Sequence, residues 1–130
     1  MTEKFLVKII GIIFEPKSRM ILIGKKLRDK EFSFLEEELK TKEELDKFLK
    51  KAVKQKTGYK VHNLGAVYAE NKIKGEANLL RLYFLCEATE GKEKAGKNVE
   101  VLKWIKPKSV EKELHVKLPP RLKEYIFGLE

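Results

Sequence analysis

The chain of 130 residues has one cysteine, one tryptophan and one glutamine, and no apolar run near the ~20 residues that a membrane-spanning helix needs. The lone Cys86 excludes an internal disulfide and fits a reducing compartment, so the cytoplasm is the expected location. It sits in the apolar phrase "LYFLCEA", where an inert buried thiol is expected, not a nucleophile. The apolar "KFLVKIIGIIF" near the N-terminus is interrupted by Lys8, has no small-residue cleavage site and runs straight into a turn. It reads as a first strand, not as a signal segment. No glycine-rich phosphate loop and no serine or cysteine triad is present. His62 and His115 have no metal-ligand spacing to each other or to Cys86, and read as ordinary strand or loop histidines.

Arginine is also scarce. The formal charge of +9 comes from 25 Lys and only 4 Arg against 18 Glu and 2 Asp. Net positive charge admits a nucleic-acid partner. Yet arginine is the preferred side chain for bidentate phosphate and base recognition, and its shortage weakens that reading. Lysine and glutamate enrichment with few Asn and Gln is instead the composition of proteins from very hot environments. Hydrophobic residues at 42% and charged residues at 38% suit one globular domain spanning 1–130, with a core and a heavily charged surface.

Periodicity and turn chemistry place the elements. Phe5–Phe14 and Met20–Leu27 read as a hairpin around Pro16–Arg19, followed by a charged loop and a brief extended piece at Phe32–Phe34. A helix over 43–57 is the firmest expectation. Thr41 and Glu44 have capping-box spacing, and Leu45, Phe48, Leu49, Ala52 and Val53 make one apolar stripe. Gly58 is placed to close that helix in a left-handed conformation. Two strands follow, Val61–Glu70 and Leu79–Ala88, joined by a turn containing Gly75. Glu90–Asn98 reads as a mobile lysine- and glycine-rich loop, Val99–Ile105 as a strand, and the residues after Pro107 as an irregular segment. Pro119-Pro120 opens a closing helix over 120–129. The order β-β-α-β-β-β-α implies an α/β or α+β domain with a mixed sheet.

This order, with several local phrases, resembles the Nudix hydrolase family and its MutT-like α/β/α sandwich. The family box is a glycine, five residues, Glu, seven residues, then Arg-Glu-aliphatic-x-Glu-Glu-x-Gly-aliphatic, usually preceded by Phe-Pro-Gly. Anchoring its late glycine on Gly58 puts its first Glu on Glu43 and its Phe-Pro-Gly-Gly lead-in on Phe34, Leu35, Glu36 and Glu37. "GIIFEPKSRMILIGKK" is similar to the family's first hairpin and "LGAVYAE" to its strand after the box. "LRLYFLCEATEGKEKAGKNVEVLKWIKPKSV" and "LPPRLKEYI" are similar to its late strands and C-terminal helix.

The resemblance implies a fold but not its chemistry. The positions that would hold divalent cations against a diphosphate carry Lys51, Ala52, Val53, Lys54, Gln55 and Lys56. Hard cations need oxygen ligands, and a lysine among them repels a metal. No catalytic residue and no cofactor are therefore expected. Phe48 and Ala52 are expected to fill part of the former site, with Gln55 and Lys56 facing solvent or an anion. The first functional reading is a catalytically inactive module binding a nucleotide or RNA phosphate through Lys25, Lys26, Lys51 and Lys56, with Trp104 and Tyr68 available to stack on a base. For each lysine the plainer reading is a solvated strand end or helix face. The alternative is a divergent hydrolase of a nucleoside diphosphate derivative, using magnesium held by Glu36, Glu37, Glu38, Glu43, Glu70 or Glu100. In that case the acidic run Glu36–Glu38, read here as a solvated loop, approaches the old metal region. A protein-interaction module, pairing with another protein or a second copy of itself and not with a membrane, is the third reading.

Overall fold

The computed structural model describes residues 4–40 and 42–130. At its centre runs strand β1 (Lys4–Glu15), whose Ile9, Ile10, Ile12 and Ile13 are all buried. A strand covered on both faces carries a continuous apolar run in place of strict alternation. The parallel strand β6 (Ala77–Gly91) pairs with it from Lys4↔Ala77 to Phe14↔Glu87. Beyond β6 lies the edge strand β5 (Tyr59–Lys74), in a hairpin that turns at Gly75 with φ 64°. On the other side, β2 (Met20–Lys26) pairs antiparallel with β1 only through Glu15↔Met20, Phe14↔Ile21 and Ile13↔Leu22. The two strands then splay apart. The wedge is filled by β3 (Phe32–Ser33), which pairs with β2, and β4 (Leu35–Glu38), which pairs with β1 from Gly11↔Leu35 to Lys8↔Glu38. Strand β7 (Val99–Ile105) continues the sheet on the far side of β2.

The acidic run is therefore a strand, not a loop. Its backbone groups complete the ladder of β1, which overrides the poor strand propensity of glutamate. Because strand side chains alternate, Glu36 and Glu37 point to opposite faces of the sheet.

Helices cover both faces. Helix α1 (Leu45–Thr57) packs Leu49 and Val53 against Ile9, Ile13, Leu22, Leu35, Phe84 and Cys86. Two further helices, α2 (Val110–Leu114) and α3 (Pro120–Phe127), place Val110, Leu114, Leu122 and Ile126 against Ile10, Ile12, Ile21, Phe34 and Tyr83. This is the mixed-sheet α/β/α sandwich expected. Helix α2 and the 3-10 turn at Pro107–Ser109 occupy the segment expected to be irregular, and α3 stops at Phe127, short of 129. Among the described residues no helix is long and apolar enough to cross a membrane.

Two expectations about α1 change. The helix starts at Leu45, not 43, and Glu44 is its cap residue with no side-chain cap bond, so it does not serve as third residue of a capping box. Thr41 lies outside the described residues. The second change is at the other end, where the loop after β6 is docked instead of mobile. Gly58, at φ 82°, donates its N–H to the Lys54 carbonyl at 2.9 Å. Lys97, Gly96 and Lys94 donate to the carbonyls of Gln55, Lys56 and Thr57, each at 2.9 Å. All four carbonyls that a helix end leaves without partners are thereby satisfied. A Cβ at Gly96 would collide with the Gln55 carbonyl, so the close approach requires glycine there.

Candidate functional site

The docked loop and β4 together build the surroundings of α1. Lys56, in the last turn of α1, is only 5% exposed. Its Nζ lies 3.0 Å from Glu37 Oε2, and the loop's Lys97 lies 3.0 Å from Glu37 Oε1. Both carboxylate oxygens are thus held by ammonium groups. Burial raises the pKa of Glu37, but the hydrogen bonds and charges of Lys97 and Lys56 outweigh it and hold the carboxyl below its ordinary value. Beside this triad, Phe48, Leu49, Ala52, Val53, Ile9 and Leu35 close around a crevice with only about 10 Å³ of free space. That is at or below what one water molecule needs. Phe48 and Ala52 thus line an apolar plug, Gln55 faces solvent, and Lys56 faces an anion that the chain itself supplies.

A shallower hollow of about 260 Å³ lies alongside, lined by Glu37, Glu43, Phe48, Lys51, Ala52, Gln55 and Lys97. Here Lys51 approaches Glu43 at 3.9 Å. Lys25 and Lys26 line neither space. The four lysines singled out in the sequence therefore do not share one cleft.

The second cluster is on the opposite face of the sheet. Glu36 Oε1 accepts a hydrogen bond from Lys26 at 2.9 Å and another from Lys8 at 3.4 Å, while Arg81 Nη2 stands 3.6 Å from its Oε2. Burial raises the pKa of Glu36, but the hydrogen bond from Lys26 and the charges of Lys26, Lys8 and Arg81 outweigh it and hold the carboxyl below its ordinary value. Arg81 also bonds Glu70 at 3.3 Å, Tyr83 donates its hydroxyl to the same oxygen at 3.3 Å, and Lys72 lies 3.9 Å away. Register explains the convergence: Lys8, Arg81 and Glu70 form one cross-strand row on β1, β6 and β5. Above them opens a cleft of about 300 Å³ lined by Phe32, Phe34, Tyr83, Arg81, Lys72 and Lys117, among others. The Arg81 guanidinium lies 5.4 Å from the Tyr83 ring centroid, and its Nε is buried without a partner among the described residues. Of the charged side chains that line it, Lys72, Arg81 and Lys117 set three positive charges against the two of Glu36 and Glu70. The cleft thus has one positive charge in excess and aromatic walls.

Glu36, Glu37 and Glu38 do not converge as a ligand set. Strand alternation separates the first two, and Glu38 pairs with Lys40 at 3.6 Å. Among the described residues no three His, Cys, Asp or Glu side chains are grouped to hold a metal ion. Glu100 is exposed. With both Glu37 oxygens on lysines, the donor set around α1 does not fit a divalent cation.

Trp104 stacks edge-on with Tyr59 at 5.8 Å and donates its indole N–H to Glu93 at 2.8 Å, away from Arg81. Tyr68 packs edge-on against Tyr83 at 5.7 Å. His62 is exposed on β5, and His115 closes α2 with its Nδ1 2.6 Å from Glu31. Sequence reasoning missed Lys8, Lys72, Arg81, Tyr83 and Lys97 as site residues. The available signal was Lys8 and Arg81, each a lone base inside an apolar strand run.

No protein-family model and no curated protein sequence matches the chain. Solved structures do. The MutT protein from Methanosarcina mazei Go1 superposes over 99% of this chain and 95% of its own, with a TM-score of 0.74 at 11% identity. A Nudix hydrolase from Nitrosomonas europaea covers 97% and 88%, with a TM-score of 0.74 at 12% identity. The E. coli ORF135 protein covers 95% and 87%, with a TM-score of 0.70 at 15% identity. The chain has the Nudix fold. At these identities the likeness concerns architecture alone.

Proposed function

We propose that this Nudix-fold chain is a binding module, without pyrophosphohydrolase activity, that takes a nucleotide or RNA phosphate in the cleft around Arg81 without a metal. The observation that carries this reading is the buried Lys56, paired with Glu37 on the face of α1 where a hydrolase of this fold needs anionic ligands. An ammonium beside a carboxylate whose oxygens are both taken repels a divalent cation.

The ligand side of the reading rests on the opposite cluster. A phosphate is recognised by guanidinium and ammonium donors, and a base by aromatic faces. Arg81, Lys72 and Lys117 provide the first, and Phe32, Phe34 and Tyr83 the second. Of the four lysines marked in the sequence, Lys26 belongs to this cluster through Glu36. Lys25, on the same strand, has no ion-pair partner among the described residues and is the nearest free addition to it in sequence.

The test is a panel of nucleoside diphosphate derivatives and short RNAs, incubated with magnesium or manganese and followed for both turnover and binding. The reading expects no turnover, with binding that Arg81→Ala weakens about tenfold or more, the worth of one charge-assisted contact. Metal-dependent turnover abolished by Glu37→Ala with Glu38→Ala would favour the divergent hydrolase instead.

A further inference from the structure

The distal half of β5 is a sheet edge protected by neither proline nor a bulge, although it carries the charged Glu70, Lys72 and Lys74. Among the described residues, strand β5 stands last in the sheet and pairs only with β6. Its register irregularities end at Tyr68, so the stretch from Tyr68 to Lys74 is a regular edge with no proline or bulge. Exposed edges of this kind are templates for pairing with another chain.

The residues on this edge are self-complementary. Ala69, Asn71 and Ile73 alternate onto the α1 face of the sheet, where α1 does not cover them, and all three are exposed. Ile73 is 78% exposed, and in its cross-strand row Asn78 separates it from Phe5, itself 59% exposed. Glu70 and Lys72 alternate onto the opposite face. In an antiparallel pair of identical strands centred on Asn71, Glu70 faces the Lys72 of the second copy, twice by symmetry, and Ala69 faces Ile73. Opposite charges and apolar groups directly across a strand pair are favourable. Neighbouring registers lose this: centring on Glu70 sets two glutamates opposite each other, and centring on Lys72 sets two lysines so.

We propose that the chain forms a two-fold dimer by antiparallel pairing of this edge with a second copy of itself, in the register centred on Asn71. An isologous contact of this type closes on itself and leaves no edge for further growth. The pairing runs one sheet through both copies and sets the exposed Ile73 of each against the other's Ala69. Glu70 and Lys72 also line the Arg81 cleft, so Ile73→Lys, which lies on the other face, is the variant that tests the pairing apart from what the cleft binds.

Sedimentation of the full chain across a concentration series provides the first readout, with a dimer of twice the 15.2 kDa chain mass expected. Ile73→Lys and, separately, Lys72→Glu are expected to weaken dimerisation about tenfold or more, by adding a charge to the apolar row or facing Glu70 with a like charge. Circular dichroism checks that both variants remain folded. Register is read by oxidation. Asn71→Cys faces itself across the two-fold and is expected to cross-link, whereas Ala69→Cys alone is not. The Ala69→Cys, Ile73→Cys double variant is expected to cross-link again. A chain that stays monomeric throughout the series overturns the proposal. So does a dimer indifferent to Ile73→Lys, or one in which Ala69→Cys cross-links and Asn71→Cys does not.

Discussion

Glu36 and Glu37 are neighbours on β4, yet they organise two unlike regions. Glu37 faces α1, where two ammonium groups hold its oxygens and apolar side chains close the space beside it to about 10 Å³. Glu36 faces α2 and α3, where the cations Lys72, Arg81 and Lys117 and the carboxylates Glu36 and Glu70 line a cleft of about 300 Å³ with aromatic walls. One region has its charges satisfied internally, and the other has positive charge to spare. The difference teaches that two neighbouring carboxylates on one strand are treated in opposite ways by the two faces of the sheet. A cation of the chain itself, Lys56, pairs with Glu37 on the α1 side, while the other side has one cation in excess of its carboxylates.

The largest way to break this contrast is Glu37→Gln. It leaves the buried Lys56 charge with only Lys97, another cation, nearby, and removing one member of a buried pair is expected to cost about 3 kcal/mol in chemical denaturation. Next comes acid. Glu36 and Glu37 both have folded pKa values below the ordinary glutamate value of 4.5, so their contribution to stability is fully present above that value. It is lost as pH falls through the depressed folded values, and stability is expected to fall more steeply with acid in the wild type than in a Glu36→Gln, Glu37→Gln variant. Lys56→Met has a smaller effect. It removes the buried cation while Lys97 still holds Glu37, and replacing a buried charge by a well-packed apolar chain is expected to change stability by no more than about 1 kcal/mol. Combining it with Glu37→Gln should recover most of the loss, a coupling read by a double-mutant cycle. Lys51→Ala, at an exposed pair 3.9 Å long, is expected to shift stability by less than about 0.5 kcal/mol.

Much of the fold was legible because it is written in local chemistry. The apolar stripe of α1, Gly58 at its end, the first hairpin and the β7 boundaries all follow from periodicity and turn residues. What stayed hidden depends on partners distant in sequence. Strand β4 reads as a loop because three glutamates have poor strand propensity, and only pairing with β1 makes it a strand. The loop after β6 reads as mobile because its glycine and lysine content says nothing about the helix carbonyls it caps. The candidate site was legible only in its negative half. The spacing from Glu43 to Gly58 shows which residues α1 carries at the positions the resemblance marks, but not that Lys56 turns inward. Nor does it place Arg81, whose neighbours Glu36, Glu70 and Lys8 come from three other strands.

The most direct measurement is isothermal titration calorimetry of the intact chain with a nucleoside diphosphate, performed once in EDTA and once in magnesium. The account predicts binding of the same affinity in both, no heat from magnesium alone, and no product afterwards. Micromolar magnesium binding by the chain itself, or nucleotide binding that appears only when the metal is present, would contradict it.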